Sequence, residues 1–457
     1  MVARYFKFYH GAAKINYSME NEICWPAFYN FAIQKSIVHG RWSIVSGKFH
    51  CYGLWTMVYG PQAMTQQKNL SFENTEIAFR HSSDFDLKRA YWLFRVINVN
   101  FLVKIGPPAT NFAMKLGLPI KRLIKATIFK HFCGGETISE CDTTIKKLQV
   151  GNVGTILDYS IEGEDDELVF DDTRDEIIRT IKRAEGDQAV PITVFKITGV
   201  VRFSLLEKLD ENKELSAAEK EEWEKAQARV LAICEKAHQA GIPVMIDAEE
   251  SWIQKTIDIL ALTMMQRFNQ QKAIVYNTYQ LYRHDKLQSL KLDHEVAAGN
   301  GFILGAKLVR GAYMEKERKR AEEKGYPSPI QSDKQSCDSD YDAALNYCTD
   351  HIHNIAFVAG THNEESCKLL TELLNKKHIE HGNPNVYFSQ LLGMSDNLSF
   401  NLANAQYNVA KYVPYGPIKA VLPYLFRRAQ ENTAIAGQMS RELGLISKEV
   451  QRRKSRK

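Results

Sequence analysis

The stretch Lys411–Asn432 reads KYVPYGPIKAVLPYLFRRAQEN. On a helix, Tyr424, Arg427, Arg428 and Glu431 fall at i, i+3, i+4 and i+7 and so share one face. Two adjacent arginines beside a tyrosine form a planar, permanently charged fork that suits a small carboxylate. The same spacing also fits a solvated surface helix with a Glu–Arg pair. The fork becomes a site only if the rest of the chain supplies a frame and polar residues to face it.

The frame is legible as a rhythm. From about residue 152, short apolar runs recur at Gly154–Tyr159, Ile192–Ile197, Pro243–Asp247, Ala273–Thr278, Phe302–Val309, Ile355–Gly360, Val386–Leu391 and Tyr407–Tyr412. Helical segments separate them. The clearest opens with the capping box Ser216-Ala217-Ala218-Glu219 and runs to Gly241. Eight buried-type strands alternating with helices predict a (β/α)8 TIM-type barrel over residues 151–448. An open doubly wound sheet competes, but no GxGxxG follows the first strand.

In a barrel, chemistry gathers at the C-terminal ends of the strands. Seven of the eight runs place polar residues there: Lys196, Asp247, Asn277, Lys307 with Arg310, Thr361-His362-Asn363, Gln390 and Tyr412. One such residue is ordinarily a satisfied ion pair. Seven are harder to explain as structure, because a buried charge costs several kcal/mol (~) unless paired. Gly311 and Ala312 after Arg310 let a flat ligand approach the backbone. There is no HExxH, P-loop, GxSxG or metal-ligand spacing, and His351 and His353 in HIHN are not read as metal ligands. No nucleophile with a paired base is visible. The site reads as one that holds an organic cofactor carrying its own chemistry.

Composition narrows the class. The 457 residues are 44% hydrophobic and 25% charged, ordinary for a soluble globular protein, and the net charge of +5 does not argue for nucleic acid. No run of 18 apolar residues occurs. Eight scattered cysteines without CxxC fit reduced thiols. Residues 1–63 form an atypical, aromatic-rich segment with only Glu20 and Glu22 as acids. It reads either as a targeting segment or as disordered, non-native sequence before a start at Met64. Residues 64–150 read as a helical subdomain, with apolar spacing over Leu87–Val103, Thr110–Leu116 and Ile120–Phe132, and a helix Thr137–Leu148 after the break Phe132-Cys133-Gly134-Gly135-Glu136. Residues 449–457 read as a solvated basic tail.

The motifs FCGGET, MIDAEES, VYNTYQ, KLVRGAYM, AGTHNEES, FSQLLGMSD and KYVPYG…PYLFRRAQEN, in this order, resemble those of the FAD-dependent proline dehydrogenases over roughly residues 71–448. The likeness is greatest to the monofunctional enzymes. It implies that Arg427 and Arg428 clamp the proline carboxylate, that Tyr412 and Tyr424 line the substrate pocket, and that Lys196 lies near the carboxylate. It implies that Asp247 organises the polar network and that Asp158 braces the final helix. For FAD it implies Lys307 near the flavin N5, and Val309, Arg310, Gly311 and Ala312 as the wall beside the ring. Asn277 would be a strand-four amide near the flavin, Thr361, His362 and Asn363 the adenosine-side loop, and Gln390 and Glu431 further contacts. Three departures stand out. The long bifunctional relatives have arginine in place of Lys307 and tryptophan in place of Met314, and Pro329–Asp338 also reads differently.

The implied reaction is oxidation of L-proline to Δ1-pyrroline-5-carboxylate, by hydride transfer from proline C5 to flavin N5. It is the first step of proline catabolism to glutamate. Implied partners are a membrane quinone and, in function, pyrroline-5-carboxylate dehydrogenase. The implied place is cytoplasmic and peripheral on the inner membrane if bacterial, or the matrix side of the mitochondrial inner membrane. The alternatives are a hydroxyproline dehydrogenase and a flavin-less proline-binding barrel.

Overall fold

Eight parallel strands close into a barrel in sequence order in a computed structural model that describes residues 70–97, 120–160, 166–434 and 438–456. The atypical segment 1–63, Met64 and the helix expected over Thr110–Leu116 lie outside the described residues. The strands are β1 (Gly154–Tyr159), β2 (Ile192–Lys196), β3 (Val244–Asp247), β4 (Val275–Gln280), β5 (Leu304–Val309), β6 (Ile355–Gly360), β7 (Val386–Leu391) and β8 (Val409–Tyr415). β1 closes on β8 from Gly154↔Ala410 to Tyr159↔Tyr415.

Strands buried on both faces read as continuous apolar runs, and the two faces can be separated by period two. Ile156, Ile192, Val194, Met245, Tyr276, Val358, Ala410 and Tyr412 fill the barrel interior as one cluster. Leu157, Phe195, Ile246, Leu308, Phe357 and Phe388 point the other way and pack with the surrounding helices. The expected capping box is formed. Ser216 and Glu219 cap helix Ala217–Ala240 reciprocally, and Gly241 ends it in the left-handed conformation at φ 67°.

β8 runs three residues past the expected end, to Tyr415. The reason is the glycine pair that breaks the helical pattern before it. The Gly134 N–H donates to the Pro414 carbonyl at 2.9 Å and the Gly416 N–H to the Gly135 carbonyl at 3.1 Å. A Cβ on Gly134 would stand 2.6 Å from Val413 Cγ1 and 2.8 Å from Cys141 Sγ, so the strand can be met this closely only by glycine. Helix Ile418–Ala434 then starts directly from the C-terminal mouth of the barrel. Its Ile418, Val421, Leu422 and Leu425 pack against Phe79, Leu87, Phe94, Phe129 and Phe132 of the N-terminal helices and against Leu445 and Ile446.

Residues 449–454 are helical, within Gln438–Lys454, and not a solvated tail. The basic groups expected to face water are used as fasteners. Arg453 donates to the carbonyls of Ser82 at 2.9 Å and Phe79 at 2.8 Å, and Arg452 and Arg453 both hold the fully buried Glu449.

Candidate active site

One carboxylate gathers the strand ends. Asp247 closes β3 beside Lys196 of β2, its register partner. Lys307 of β5 donates to Asp247 Oδ1 at 2.6 Å, and the Tyr412 hydroxyl of β8 donates to Oδ2 at 2.5 Å. Lys196 Nζ lies 3.8 Å from Oδ2, and Lys307 Nζ sits 4.5 Å from the centre of the Tyr412 ring. Asp247, Lys307 and Tyr412 are all buried. Burial alone would raise the Asp247 carboxyl, but Lys307 and Lys196, with the hydrogen bonds from Lys307 and Tyr412, outweigh it and the net direction is down. Burial first, then the Asp247 charge, pushes the Tyr412 phenol well above its ordinary range, so it stays a donor. Asp158, on β1, is buried and accepts from Ser160 Oγ at 2.9 Å through Oδ2, while its Oδ1 has no hydrogen-bond partner. Burial raises its carboxyl; Lys196 opposes this and Asp247 adds to it.

Behind this group stands Glu249, in the motif MIDAEES but not singled out by its type or spacing. It is buried, accepts from the Thr198 N–H at 3.0 Å and from the Thr198 hydroxyl, and its own N–H donates to Gln254 Oε1 at 2.7 Å. Thr198 lies two residues beyond Lys196, so Glu249 fixes the turn that aims the lysine. Burial pushes the Glu249 carboxyl up to about 8.

Strand four corrects one expectation. Asn277 does not face the mouth. Its amide donates to Asp258 Oδ1 at 3.0 Å and its Oδ1 accepts the Thr278 N–H at 2.9 Å, while Lys286 holds the other Asp258 oxygen at 2.5 Å. Thr278 is the register partner of Lys307 and shares its inward face, so Asn277 turns to the helix layer. The amide of this strand on the inward face is Gln280. Its Nε2 donates to the Glu249 carbonyl at 3.1 Å, and its Oε1 is buried without a hydrogen-bond partner. Period-two counting from Lys307 across the register would have found it.

The β5 end has a built shape. Val309 lies inward in line with Lys307. Arg310 is held by Asp338 at 2.7 Å, Thr361 Oγ1 at 2.8 Å and Ser366 Oγ at 2.9 Å, over the Tyr341 ring. Gly311 has φ 142°, and any Cβ there would come within 2.4 Å of the Tyr282 ring. Ala312 is exposed next to it. At β6, Thr361 also accepts the Asn363 N–H at 3.0 Å, and Asn363 caps helix Glu364–Lys376 through the Glu365 and Ser366 N–H groups. His362 is placed by Ser395 Oγ on its Nδ1 at 2.9 Å. Burial first, then Lys411 and Arg428, pulls its imidazole down to about 3, so it is neutral. Gln390 is committed at both ends of its amide, to the Thr361 carbonyl at 3.1 Å and Ser399 Oγ at 2.8 Å, and acts by bracing the β6 loop.

On helix Ile418–Ala434, Tyr424 and Arg428 are buried and Arg427 is half-buried, with the Arg428 guanidinium 5.3 Å from the Tyr424 ring centre. Tyr424 acts electrostatically on Tyr412 and Arg428 on His362, so this face reaches both sides of the mouth. The Glu431 side chain lies outside those described. The structure thus brings Lys196, Asp247, Lys307 and Tyr412 together and places Tyr424, Arg427 and Arg428 on one helix, while Glu249 and Gln280 were not among the residues expected from the sequence.

The family model described as "Proline dehydrogenase" matches residues 141–441. The chain belongs to the proline dehydrogenase family. Among its relatives, "Proline dehydrogenase 1, mitochondrial" of Dictyostelium discoideum is 32% identical over 445 residues, covering 86% of this chain and 77% of the relative. The "Hydroxyproline dehydrogenase" of Xenopus laevis is 30% identical over 440 residues, covering 86% and 92%. Of solved structures, proline utilization A from Bdellovibrio bacteriovorus superposes with a TM-score of 0.63 at 20% identity, covering 82% of this chain and 40% of that longer one, a likeness of fold. No described helix is long and apolar enough to cross a membrane.

Glu249 gives this family member a testable pH signature. Its folded pKa, about 8, lies above the ordinary value of 4.5. Between these values the folded state holds a proton that the unfolded state releases, so the contribution of Glu249 to stability falls as pH rises through that window. Glu249→Gln is expected to flatten the decline in urea midpoint over the window relative to wild type. Parallel declines in the two proteins would contradict the assignment.

Proposed function

We propose that this chain oxidises L-proline to Δ1-pyrroline-5-carboxylate with FAD and passes the electrons to a membrane quinone. The observation that carries the reading is the Asp247 carboxylate holding Lys307 and Tyr412 at the barrel mouth, under the helix face that bears Tyr424, Arg427 and Arg428. Two features support a flavin. The buried Gln280 Oε1 lacks a donor, and a flat cofactor supplies N–H groups at its edge. Gly311 and Ala312 are exposed after β5 and carry no bulky side chain into the mouth. Lys307, Val309, the backbone from Arg310 to Ala312, and the Thr361–His362 loop would hold it, in a family of flavoenzymes. Bound FAD supplies the acceptor for the two electrons and the hydrogen that leave proline C5.

The chain's own residues do the rest. Arg427, Arg428 and Lys196 bind the substrate carboxylate, and the planar guanidinium pair fixes its orientation as well as its charge. Tyr412, pinned by Asp247, forms a rigid wall for the ring and excludes water from its face. Lys307, held by the same carboxylate, keeps a cation on the cofactor side. The substrate nitrogen must be neutral when it pushes electrons toward C5, and the lysines around Asp247 disfavour its protonated form. The product is handed to a pyrroline-5-carboxylate dehydrogenase on the way to glutamate. The Dictyostelium relative is named as mitochondrial, which supports a mitochondrial place, and a peripheral position on the inner membrane is part of this proposal.

The Xenopus relative makes hydroxyproline the second substrate to weigh. Tyr412 favours proline, since its ring is buried and its hydroxyl is tied to Asp247, so it cannot swing away from a substrate hydroxyl. Tyr412→Ser is expected to narrow the ratio of kcat/KM for proline over hydroxyproline, and an unchanged ratio would remove Tyr412 from that role. Arg428→Ala is expected to weaken binding of proline and of inert cyclic carboxylates about ten- to a hundredfold, the worth of a charge-assisted hydrogen bond, with FAD retained. Normal affinity in that variant would show the fork is misassigned.

A further inference from the structure

The loop from β7 to helix Asp396–Asn404 is tightly constrained. Gly393 and Ser395 both have left-handed backbones, at φ 77° and 50°. For serine this conformation is disfavoured, so something must hold it. Lys411, fully buried on β8, donates to the carbonyls of Leu391, at 3.3 Å, and Met394, and pairs with Asp396 at 2.9 Å. His131 Nε2 bonds the Gly393 carbonyl at 2.9 Å. Ser395 itself is held from outside the barrel, where its N–H donates to the carboxylate of Glu442, a buried residue of helix Gln438–Lys454.

The inner end of this chain of contacts is His362. Ser395 Oγ meets Nδ1 at 2.9 Å, while the Leu391 N–H faces Nε2 at 3.5 Å. A donor facing Nε2 makes that nitrogen the acceptor, so the proton of the neutral ring sits on Nδ1 and is given to Ser395. The Leu391 N–H thus sets the tautomer, and Ser395, in a loop whose conformation is fixed from the C-terminal helix, holds the ring in the orientation that keeps Nε2 facing that N–H. Asp396, Lys411 and Ser395 are the groups that act on Glu442, and burial, followed by Asp396, brings its carboxyl up to about 7.

We propose that Glu442 is a positioning residue for His362: by accepting the Ser395 N–H it keeps Ser395 left-handed and its hydroxyl on Nδ1, and so holds the imidazole in the one orientation in which the Leu391 N–H meets Nε2 and a single tautomer is kept. Helix Gln438–Lys454 is then part of the active-site machinery, although none of its residues enters the barrel strands. The consequence for cofactor affinity rests on the reading of His362 as a cofactor-side residue; the consequence for the tautomer does not.

The test uses the full chain labelled with 15N-histidine at neutral pH, with the His362 signals assigned by their loss in His362→Gln. Wild type is expected to show a single neutral tautomer protonated at Nδ1. Glu442→Ala is expected to show averaging between the two tautomers, whereas Glu442→Gln, whose carboxamide oxygen still accepts the N–H, keeps the wild-type pattern. Glu442→Ala is also expected to bind FAD about tenfold more weakly, the loss of about one hydrogen bond, with the KM for proline at saturating FAD little changed. A folded Glu442→Ala that keeps a single Nδ1–H form overturns the proposal. Should that variant fail to fold, Ser395→Ala takes its place. It leaves the Glu442 contact to the backbone intact, and its keeping a single Nδ1–H form would equally overturn the proposal. Failure of wild type to bind FAD would count against the cofactor reading alone, since the tautomer arm is decided without FAD.

Discussion

A single carboxylate, Asp247, sets the geometry on which the rest depends. It ends one strand, takes a lysine from β5 and a tyrosine hydroxyl from β8, and lies within 3.8 Å of a lysine from β2. Removing one partner from such a buried group leaves the others with uncompensated charge, at a cost of about 3–5 kcal/mol. The barrel must therefore bring all of these ends together or none. The consequence for chemistry is a coupling. Tyr412 and Lys307 are oriented by two oxygens of the same side chain. Neither can shift without disturbing the other.

The second constraint is how the fork reaches this hub. Among the described residues no strand follows helix Ile418–Ala434, so its position comes from its base and its back. At the base, Gly134 and Gly135 extend β8 and set where the chain leaves the barrel. At the back, the apolar face packs between the N-terminal helices and Leu445 and Ile446. Lys411 adds a buried cation that ties the β7 loop to β8. The elements outside the barrel are thus spent on placing one helix and one loop over its mouth.

Most of the barrel was legible because parallel strands covered on both sides must be continuously apolar, and the run boundaries at Gly154–Tyr159, Ile355–Gly360 and Val386–Leu391 coincide with β1, β6 and β7. The end of β8 was not legible, since it depends on Gly134 and Gly135, which are remote in sequence. Asp247, Lys307 and Tyr412 could be picked out because charge or a hydroxyl at a buried strand end demands partners. Asn277 was misplaced because adjacent residues of a strand face opposite ways, and only the register with Lys307 tells them apart. The basic residues after 448 looked solvated by composition, whereas their partners, the carbonyls of Phe79 and Ser82 and the side chain of Asp84, are distant in sequence. Glu249 and Glu442 share that difficulty. A glutamate in a helix or loop carries no mark of burial until the fold supplies the N–H groups that meet it.

The central claim is that this mouth brings proline and a flavin together for electron transfer. It is tested most directly by the visible spectrum of the purified protein, reconstituted with FAD, before and after L-proline is added without oxygen. The account predicts a bound flavin band that bleaches on addition of proline. A flavin band that persists with proline, or a protein that takes up no FAD, would contradict it.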